Sequence, residues 1–366
     1  MKSQFRIKYL TFAIVLGLSL ASLMNACKKG SSFTPPVTTG LSTSIDSAQW
    51  YLAHTHEGTQ AGEYTKGTKA ALQSAVTAAQ AVLATANTSA TQAQITAATA
   101  NLNAAIAAYE GGLISQIAPA ALIAYWKFNG NANDSSGNGH NGTLEAGPTG
   151  LAATPLGVPN LVVDRFGNAN AAYHFAGGGN IHVPYSPALN PTAMSVSLWC
   201  RQDTAGRTDH PADCYMIALN RWNGWKFQTQ STQRPFFTEK TDSAIYDHDA
   251  NVSMTVGTTV GAGPWNHLVV TYDGVGTESF YINGVLTKTW STPNVKGAIK
   301  PISPTLDLSI GSDLPNSAYT PTDDGTGRYY VAWGGYWTGD LDDIMIYNIP
   351  LTSAQVTQIY NQQVTQ

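Results

Sequence analysis

The feature that most limits the folds open to this chain is a change of hydrophobic period near residue 116. Before this point, apolar residues such as Leu72, Val76 and Ala79 recur every three or four positions, which places them on one helical face. After it, short runs such as "HLVVTYDG" and "LDLSIGS" combine β-branched and aromatic residues between Gly, Asp and Asn. We therefore expect a mainly β protein, an antiparallel β-sandwich of jelly-roll type, with a small N-terminal three-helix bundle.

The clearest turn signal is the pair Asn283-Gly284, between "FYI" and "VLTK". A type I′ turn needs positive φ at both central residues, and Asn and Gly tolerate that conformation best. The pair predicts a β-hairpin.

The apolar spacing in residues 45–115 predicts that this segment forms the bundle, with three helices joined by short loops. The first, less regular helix runs from about residue 45 to 56. Thr91 and Gln94 fit a capping box at the start of the third helix. The layout "GEYTKGTKAALQSAVTAAQAVL" followed by "TQAQITAATANLNAAIAAY" resembles the FIVAR module of bacterial surface proteins. The apolar faces of the last two helices consist of Leu72, Val76, Ala79 and Leu83, and of Ile95, Leu102, Ile106 and Tyr109.

The N-terminus reads as an export signal. Lys2, Arg6 and Lys8 precede an apolar stretch that is short for a transmembrane span, which is the rival interpretation. "LMNAC" resembles a bacterial lipobox, and the resemblance implies removal of residues 1–26 and lipidation of Cys27. Residues 27–44, rich in Ser, Thr, Gly and Pro, then form a linker. We expect an outer-membrane lipoprotein at the bacterial cell surface. The alternative is that the protein is secreted or periplasmic.

Composition limits the partners. Charged residues make up only 11% of the chain, and removal of three basic residues changes the net charge from −4 to −7. A mildly acidic chain without a basic cluster is a poor candidate for binding nucleic acid. Any membrane contact is therefore expected through the lipid anchor alone.

Cys200 and Cys214 remain once Cys27 is assigned to the lipid. An oxidising compartment permits a disulfide, and "SLWCR" and "CYMIAL" resemble strands that could lie side by side. We expect these two cysteines to be bridged.

Residues 116–366 contain seven motifs that resemble, in the same order, those of the LamG-like jelly roll of the concanavalin A-like lectin and glucanase superfamily. The resemblance implies two stacked antiparallel sheets, but this fold serves lectins, hydrolases and adhesion modules alike. The motifs are "IAYWKFNGNANDSSGNGHNGT", "AYHFAGGGNIHVP", "MSVSLWCR", "WNHLVVTYDG", "FYINGVL", "LSIGS" and "GDLDDIMIYNIPLTSAQV".

The stretch "NGNANDSSGNGHNGT" follows the first predicted strand and offers oxygen ligands, which Ca²⁺ prefers. Asp134, Asn138 and Asn141 could supply part of a calcium shell. The family resemblance implies that Asp342 or Asp343 would complete it. The alternative is an ordinary turn. Its Asn and Gly residues would adopt positive φ, and its polar side chains would form hydrogen bonds to the backbone.

The sequence gives no sign of catalysis. Glucanases of the resembling superfamily carry Glu, Asp and Glu at alternate positions of one strand, whereas Glu145, Glu239 and Glu278 are scattered. We expect a protein that is not an enzyme, with a hydrolase of unrecognised site as the third hypothesis.

Aromatic residues in the predicted loops favour a carbohydrate ligand, because sugar rings stack on aromatic faces while polar groups bind the hydroxyls. The first hypothesis is therefore a surface protein that binds a glycan or polysaccharide. The second is an adhesion or structural module that uses the same patch to bind a surface protein. The predicted ligand-binding residues are Trp222, Trp225, Tyr246, Asp247, His248 and Trp333.

Overall fold

The computed structural model has two parts, a helical bundle near the N-terminus and a β-sandwich formed by most of the remaining chain. The predicted signal peptide and Cys27 lie outside the described residues. Within the part of the chain that is described, no helix is long and apolar enough to cross a membrane. The structure describes residues 33–152, 155–203, 214–230, 232–257, 263–291, 297–300, 304–323, 325 and 329–364.

Three helices form the bundle, as predicted. They are α1 (Thr39–His54), α2 (Thr68–Ala84) and α3 (Gln92–Glu110). Two short parallel strands, β1 (Glu57–Gly58) and β2 (Tyr64–Thr65), lie between α1 and α2. The bundle has its own apolar core.

The first helix begins at Thr39, before the predicted start near residue 45. Leu41, Ile45 and Ala48 follow one another at helical spacing and are all buried in the bundle core. The polar composition of residues 27–44 concealed Leu41, which extends the apolar face by one turn. The predicted capping box of α3 is present, with Thr91 and Gln94 bonded reciprocally.

The sandwich consists of two antiparallel sheets, as the sequence predicted. In sheet order, the seven-stranded sheet contains β12 (Ile245–Asp249), β11 (Pro235–Lys240), β10 (Trp225–Thr229), β9 (Cys214–Leu219), β16 (Leu308–Ile310), β7 (Asn180–Val183) and β4 (Thr143–Glu145). The eight-stranded sheet contains β15 (Val285–Ser291), β14 (Thr277–Ile282), β13 (Asn266–Tyr272), β8 (Met194–Gln202), β17 (Gly339–Tyr347), β6 (Ala172–Phe175) and β5 (Asn160–Val162), and β3 (Leu122–Trp126) pairs with β17.

The main core lies between the two sheets. It is rich in aromatic side chains, and its largest fully buried members include Trp126, Phe175, Trp225, Phe237 and Trp337. Helix α4 (Ser353–Gln363) packs on the other face of the eight-stranded sheet, where Val356 and Ile359 join a second apolar cluster.

The structure does not support the predicted disulfide between Cys200 and Cys214. Cys200 lies on β8 and Cys214 on β9, so the two strands belong to opposite sheets and do not pair. Neither cysteine forms a disulfide, and both are buried. Their sulfur atoms instead contact Met254 and Gln202 respectively.

The predicted hairpin joins β14 and β15. Asn283 has a φ of 52° and Gly284 a φ of 75°, as a type I′ turn requires. The Asn283 side chain also accepts a hydrogen bond from the backbone N–H of His267. The turn is thereby connected to the neighbouring strand.

We expect Gly284→Ala to destabilise the sandwich by about 2 kcal/mol or more, because a left-handed alanine costs about 1–2 kcal/mol and its Cβ would lie 2.9 Å from the Tyr360 ring. Gly137→Ala is the matched control, with a φ of 89° and open space around the added Cβ. Urea denaturation measures both variants. An equal loss in both would show that contact with α4 contributes nothing.

Candidate functional site

The predicted metal-ligand loop is organised around the carboxylate of Asp134. One oxygen accepts hydrogen bonds from the backbone N–H groups of Tyr125 and Ser136, at 2.9 and 2.8 Å. The other accepts from the Ser136 hydroxyl at 2.8 Å and from the His140 N–H at 3.0 Å. Burial raises the pKa of Asp134, but these hydrogen bonds outweigh it and hold the pKa below its usual range.

The two predicted amide ligands also serve the loop itself. The Asn138 side chain donates to the carbonyl oxygens of Leu122 and Ile123, at 3.0 and 2.8 Å. The Asn141 side-chain oxygen accepts from the backbone N–H of Asp134 at 3.0 Å. The loop therefore has the hydrogen bonds of a turn that is fastened to β3.

Asp342 and Asp343 lie on β17 and share one guanidinium group. Arg165 donates to Asp342 at 2.5 Å and to Asp343 at 2.6 Å. The Tyr125 hydroxyl donates to Asp343 at 2.6 Å. Since the Tyr125 backbone N–H also bonds Asp134, this tyrosine links the loop to the last strand.

A β-bulge explains how consecutive aspartates reach one arginine. Regular strand geometry would direct them to opposite faces, but the pairing of β17 with β8 shifts register between Asp342 and Met345. Asp343 has a left-handed φ of 47° at this point. A bulge of this kind redirects side chains, so both carboxylates contact Arg165.

The residues as placed do not fit the predicted calcium site. Ca²⁺ needs six to eight oxygen ligands, whereas both Asp134 oxygens already accept two hydrogen bonds each. A guanidinium cation occupies the position between Asp342 and Asp343 that a metal would take. Arg165 and the two aspartates instead line a polar cavity of about 740 Å³.

The six predicted ligand-binding residues do not form one cluster. Trp225 is fully buried, and its indole N–H donates to the Leu189 carbonyl inside the core. Trp222 and Trp333 are exposed, at 42% and 60% of their surface. The remaining three, Tyr246, Asp247 and His248, lie on the edge strand β12.

Strand register separates the residues of β12. Asp247 pairs with Thr238, and Thr238 pairs with Lys226, so these three side chains lie on one face of the seven-stranded sheet. His248 pairs with Phe237, a core residue, and therefore lies on the inner face. Tyr246, two positions from His248, shares that inner face.

An unusual backbone conformation exposes Trp222. After β9, Asn220 and Arg221 have positive φ values of 63° and 50°. A short 3₁₀ helix, Arg221–Asn223, follows before β10 begins at Trp225. Strained residues of this type are concentrated at functional sites. Here they direct Trp222 outward, whereas Trp225 points into the core.

A buried ion pair joins the loops that carry Trp222 and Trp333. The Arg221 guanidinium contacts the Asp313 carboxylate, and both side chains are almost completely buried. Arg221 also donates to the Trp333 carbonyl at 2.8 Å, and its guanidinium lies 5.1 Å from the centre of the Trp222 ring. Asp313 further accepts from the Tyr319 hydroxyl. Arg221 thus holds together the two loops that carry the exposed indoles.

We call the exposed indoles of Trp222 and Trp333, together with the almost completely buried Lys226 and Tyr215 beside Trp222, the tryptophan surface. The Lys226 ammonium lies 4.7 Å from the centre of the Trp222 ring and 3.3 Å from the Tyr215 hydroxyl. Gly335 packs directly on the Tyr215 ring, since an added Cβ would lie 1.7 Å from it. Arg221 and Lys226 were not among the predicted ligand-binding residues, although both flank the tryptophans of "NRWNGWKF".

Comparison with known proteins agrees with this architecture. A model of the concanavalin A-like lectin/glucanases superfamily matches residues 175–357, and a FIVAR domain model matches residues 38–110. These matches confirm both resemblances found in the sequence. No curated protein matches the chain.

Solved structures show weaker similarity. Domain 4 of AbnA, an extracellular arabinanase from Geobacillus stearothermophilus in complex with arabinotriose, has 20% identity and a TM-score of 0.46, and the match covers 65% of this chain and 98% of that one. The binding domain of Paraclostridial Mosquitocidal Protein 1 has 16% identity and a TM-score of 0.46, with coverage of 68% and 53%. Similarity at this level does not bear on function.

We expect calcium to leave the stability of this protein unchanged, because Arg165 and backbone donors satisfy the predicted ligands. Thermal melts of chelator-treated protein, with and without millimolar CaCl₂, measure this. A rise in melting temperature that is lost in Asp134→Asn would contradict the expectation and restore the predicted site.

A second prediction concerns pH. Burial and the charge of Asp343 raise the pKa of Asp342 from 3.8 to about 8, because one arginine only half compensates two carboxylates. The folded protein therefore binds more protons than the unfolded chain between about pH 4 and pH 8, and its stability falls as pH rises through that window. Asp342→Asn should flatten this dependence in urea denaturation, whereas the exposed control Asp247→Asn should keep it. An equal slope in both variants would exclude Asp342 as the cause.

Proposed function

Because the chain belongs to the concanavalin A-like lectin/glucanases superfamily, we propose that it binds carbohydrate through the tryptophan surface and does not cleave it. The observation that carries this proposal is that the buried Arg221–Asp313 pair holds together two loops, each with an exposed indole, Trp222 on one and Trp333 on the other. Exposed aromatic patches usually mark binding sites. Indole faces suit the C–H faces of sugar rings.

Polar groups near the indoles supply the second half of sugar recognition. Lys226 lies against Trp222, and Asp247 lies in the same row of the sheet, two strands away. The Asp247 carboxylate is exposed and can accept hydrogen bonds from sugar hydroxyls, whereas Lys226 is almost completely buried and supports the Trp222 ring. The surface thus combines apolar platforms with a few placed polar groups, which is the usual composition of a ligand site.

Burial of the glutamates supports binding over hydrolysis. A glycosidase needs two carboxyl groups that flank the bond to be cleaved. Glu239 and Glu278 are fully buried. Glu145 lies beside His182 on β4, at the edge of the seven-stranded sheet opposite to β12. A polysaccharide at Trp222 would not reach either buried group.

In this proposed function, the protein acts at the bacterial cell surface. Lipidation of Cys27 would attach the chain to the outer membrane, and the linker and bundle would hold the sandwich away from it. The tryptophan surface lies on the sandwich, which is the part farther along the chain from Cys27. This arrangement suits capture of a glycan outside the cell.

We expect Trp222→Ala and Trp333→Ala each to weaken glycan binding by about three- to tenfold, the value of one aromatic stack. Trp50→Ala is the matched control, since Trp50 is 55% exposed but lies on α1. Affinity electrophoresis of the full chain in a panel of polysaccharide gels, with a reducing-end assay of each polysaccharide, measures binding and cleavage together.

Three outcomes would overturn the proposal. If both tryptophan variants bind polysaccharide as tightly as the unchanged protein, or if Trp50→Ala weakens binding equally, the ligand binds elsewhere. Release of reducing ends identifies a hydrolase. Retention of a surface protein in a pull-down that Trp333→Ala abolishes, without any polysaccharide binding, identifies an adhesion module.

A further inference from the structure

The polar cavity beside Arg165 has no part in the proposed function. Its lining includes Arg165, Asp342 and Asp343, together with residues of the loops after β3 and β5 and of α4. We call it the Arg165 cavity. Its volume of about 740 Å³ falls within the roughly 300–1,000 Å³ of small-ligand sites. The cavity is therefore large enough to hold a small organic molecule.

The Arg165 cavity and the tryptophan surface lie on opposite sides of the sandwich. Ile359 lines the cavity from α4, which packs on the outer face of the eight-stranded sheet. Lys226, beside Trp222, lies on the outer face of the seven-stranded sheet, since its neighbour Phe227 points into the core. A short ligand can therefore occupy only one of the two places at a time.

Hydrogen bonds hold the walls of the cavity in place without a ligand. Asp164 accepts hydrogen bonds from the backbone N–H groups of Phe166 and Asn168, both at 2.8 Å, so the loop between β5 and β6 is closed on itself. The Gly130 N–H donates to the Asn170 carbonyl at 2.8 Å, which joins this loop to the one after β3. A site that is formed before its ligand arrives avoids much of the entropy cost of binding.

The floor of the cavity is charged but paired within the protein. The side chains of Arg165, Asp342 and Asp343 are only 5%, 4% and 11% exposed. A carboxylate oxygen accepts more than one hydrogen bond, so the two aspartates can still receive hydroxyl donors. With Lys127 and Asp164 included, the lining has two basic and three acidic side chains. This balance disfavours an anionic ligand.

Three amide side chains at the rim are available to a ligand. Asn129, Asn170 and Gln362 all line the cavity and are exposed. In the part of the chain that the structure describes, no residue hydrogen-bonds these three side chains. An amide offers both donors and an acceptor, and a sugar hydroxyl also donates and accepts. The rim is therefore chemically matched to hydroxyl groups.

An aromatic ring stands beside these amides. Phe166 lines the cavity and is 36% exposed, and the Arg165 guanidinium lies 4.5 Å from the centre of its ring. Arg165 is itself fixed by the two aspartates and by the Gln363 carbonyl. The ring thus has a rigid support, and its exposed part can receive the C–H face of a sugar.

We infer that the Arg165 cavity is a second carbohydrate site, which binds a short neutral saccharide. One supported aromatic ring, three available amides and two carboxylates supply the contacts that C–H faces and hydroxyls need. The site does not depend on Trp222 or Trp333. Together with the tryptophan surface, it lets one protein molecule hold two glycan segments, which raises its affinity for a polysaccharide above that of either site.

Isothermal titration calorimetry of the full chain carrying both Trp222→Ala and Trp333→Ala tests the cavity alone. The probes are neutral trisaccharides of glucose, galactose and mannose, each with its uronic acid counterpart, and trisaccharides of xylose and arabinose. We expect one equivalent of at least one neutral trisaccharide to bind. A uronic acid counterpart should bind more weakly than its neutral form, because the acidic side chains repel it.

Two further variants locate the bound sugar. Adding Phe166→Ala or Asn129→Ala should each weaken binding by about three- to tenfold, the value of one aromatic stack or one hydrogen bond. Asn129→Ala removes an exposed side chain without hydrogen bonds in the described structure, so it should fold even if Phe166→Ala does not, and thermal melts check both. Phe33→Ala is the matched control, because Phe33 is 42% exposed and lies before α1. It should leave binding unchanged.

Three results would overturn the inference. The first is that no neutral trisaccharide binds at millimolar concentration, and the second is that a uronic acid form binds as tightly as its neutral counterpart. The third is that Asn129→Ala and folded Phe166→Ala bind unchanged, or that Phe33→Ala weakens binding as much as they do. Because the tested chain lacks both exposed indoles, failure of this site is distinguishable from failure of the tryptophan surface.

Discussion

The structure depends on the neutralisation of carboxylates along a fully buried strand. All nine residues of β17 are buried, and three of them are aspartates. Asp340 is paired with His174 and Arg201, and Asp342 and Asp343 share Arg165. A buried charge that lacks a partner costs several kcal/mol, so β17 can occupy the sheet only when these basic residues reach it. Two of its neighbouring strands supply these partners, since His174 lies on β6 and Arg201 on β8.

The same physics builds the candidate binding surface. Asp313 and Arg221 lie far apart in the sequence, and their buried pair fixes two loops that would otherwise have few contacts in common. Arg221 bonds the Trp333 carbonyl and Asp313 bonds the Gly335 N–H, so the exposed Trp222 and Trp333 lie on loops held by one buried pair.

Local chemistry made much of the fold predictable. Asn283 and Gly284 specified a hairpin turn, Thr91 and Gln94 specified a helix start, and both are present. The helical faces of α2 and α3 were found from spacing alone. The failures share one cause, which is that they concern relations between strands. Cys200 and Cys214 were expected to be neighbours, but their strands lie in opposite sheets. Trp222 and Trp225 were grouped together, but Trp225 pairs with Leu219 of β9 and is buried between the sheets, whereas Trp222 precedes β10 and is exposed.

The sequence by itself determined the kind of each segment, the positions of its turns and caps, and the family to which the sandwich belongs, because these depend on residues close together in the chain. Only the tertiary structure decided which side chains meet. Arg165 reaches Asp342 and Asp343 because a bulge redirects two consecutive residues, and the Tyr125 hydroxyl links β3 to β17. Tyr246 and His248 lie apart from Trp222 because strand register assigns them to the inner face. Contacts of this type depend on register and strand order, which no local pattern encodes.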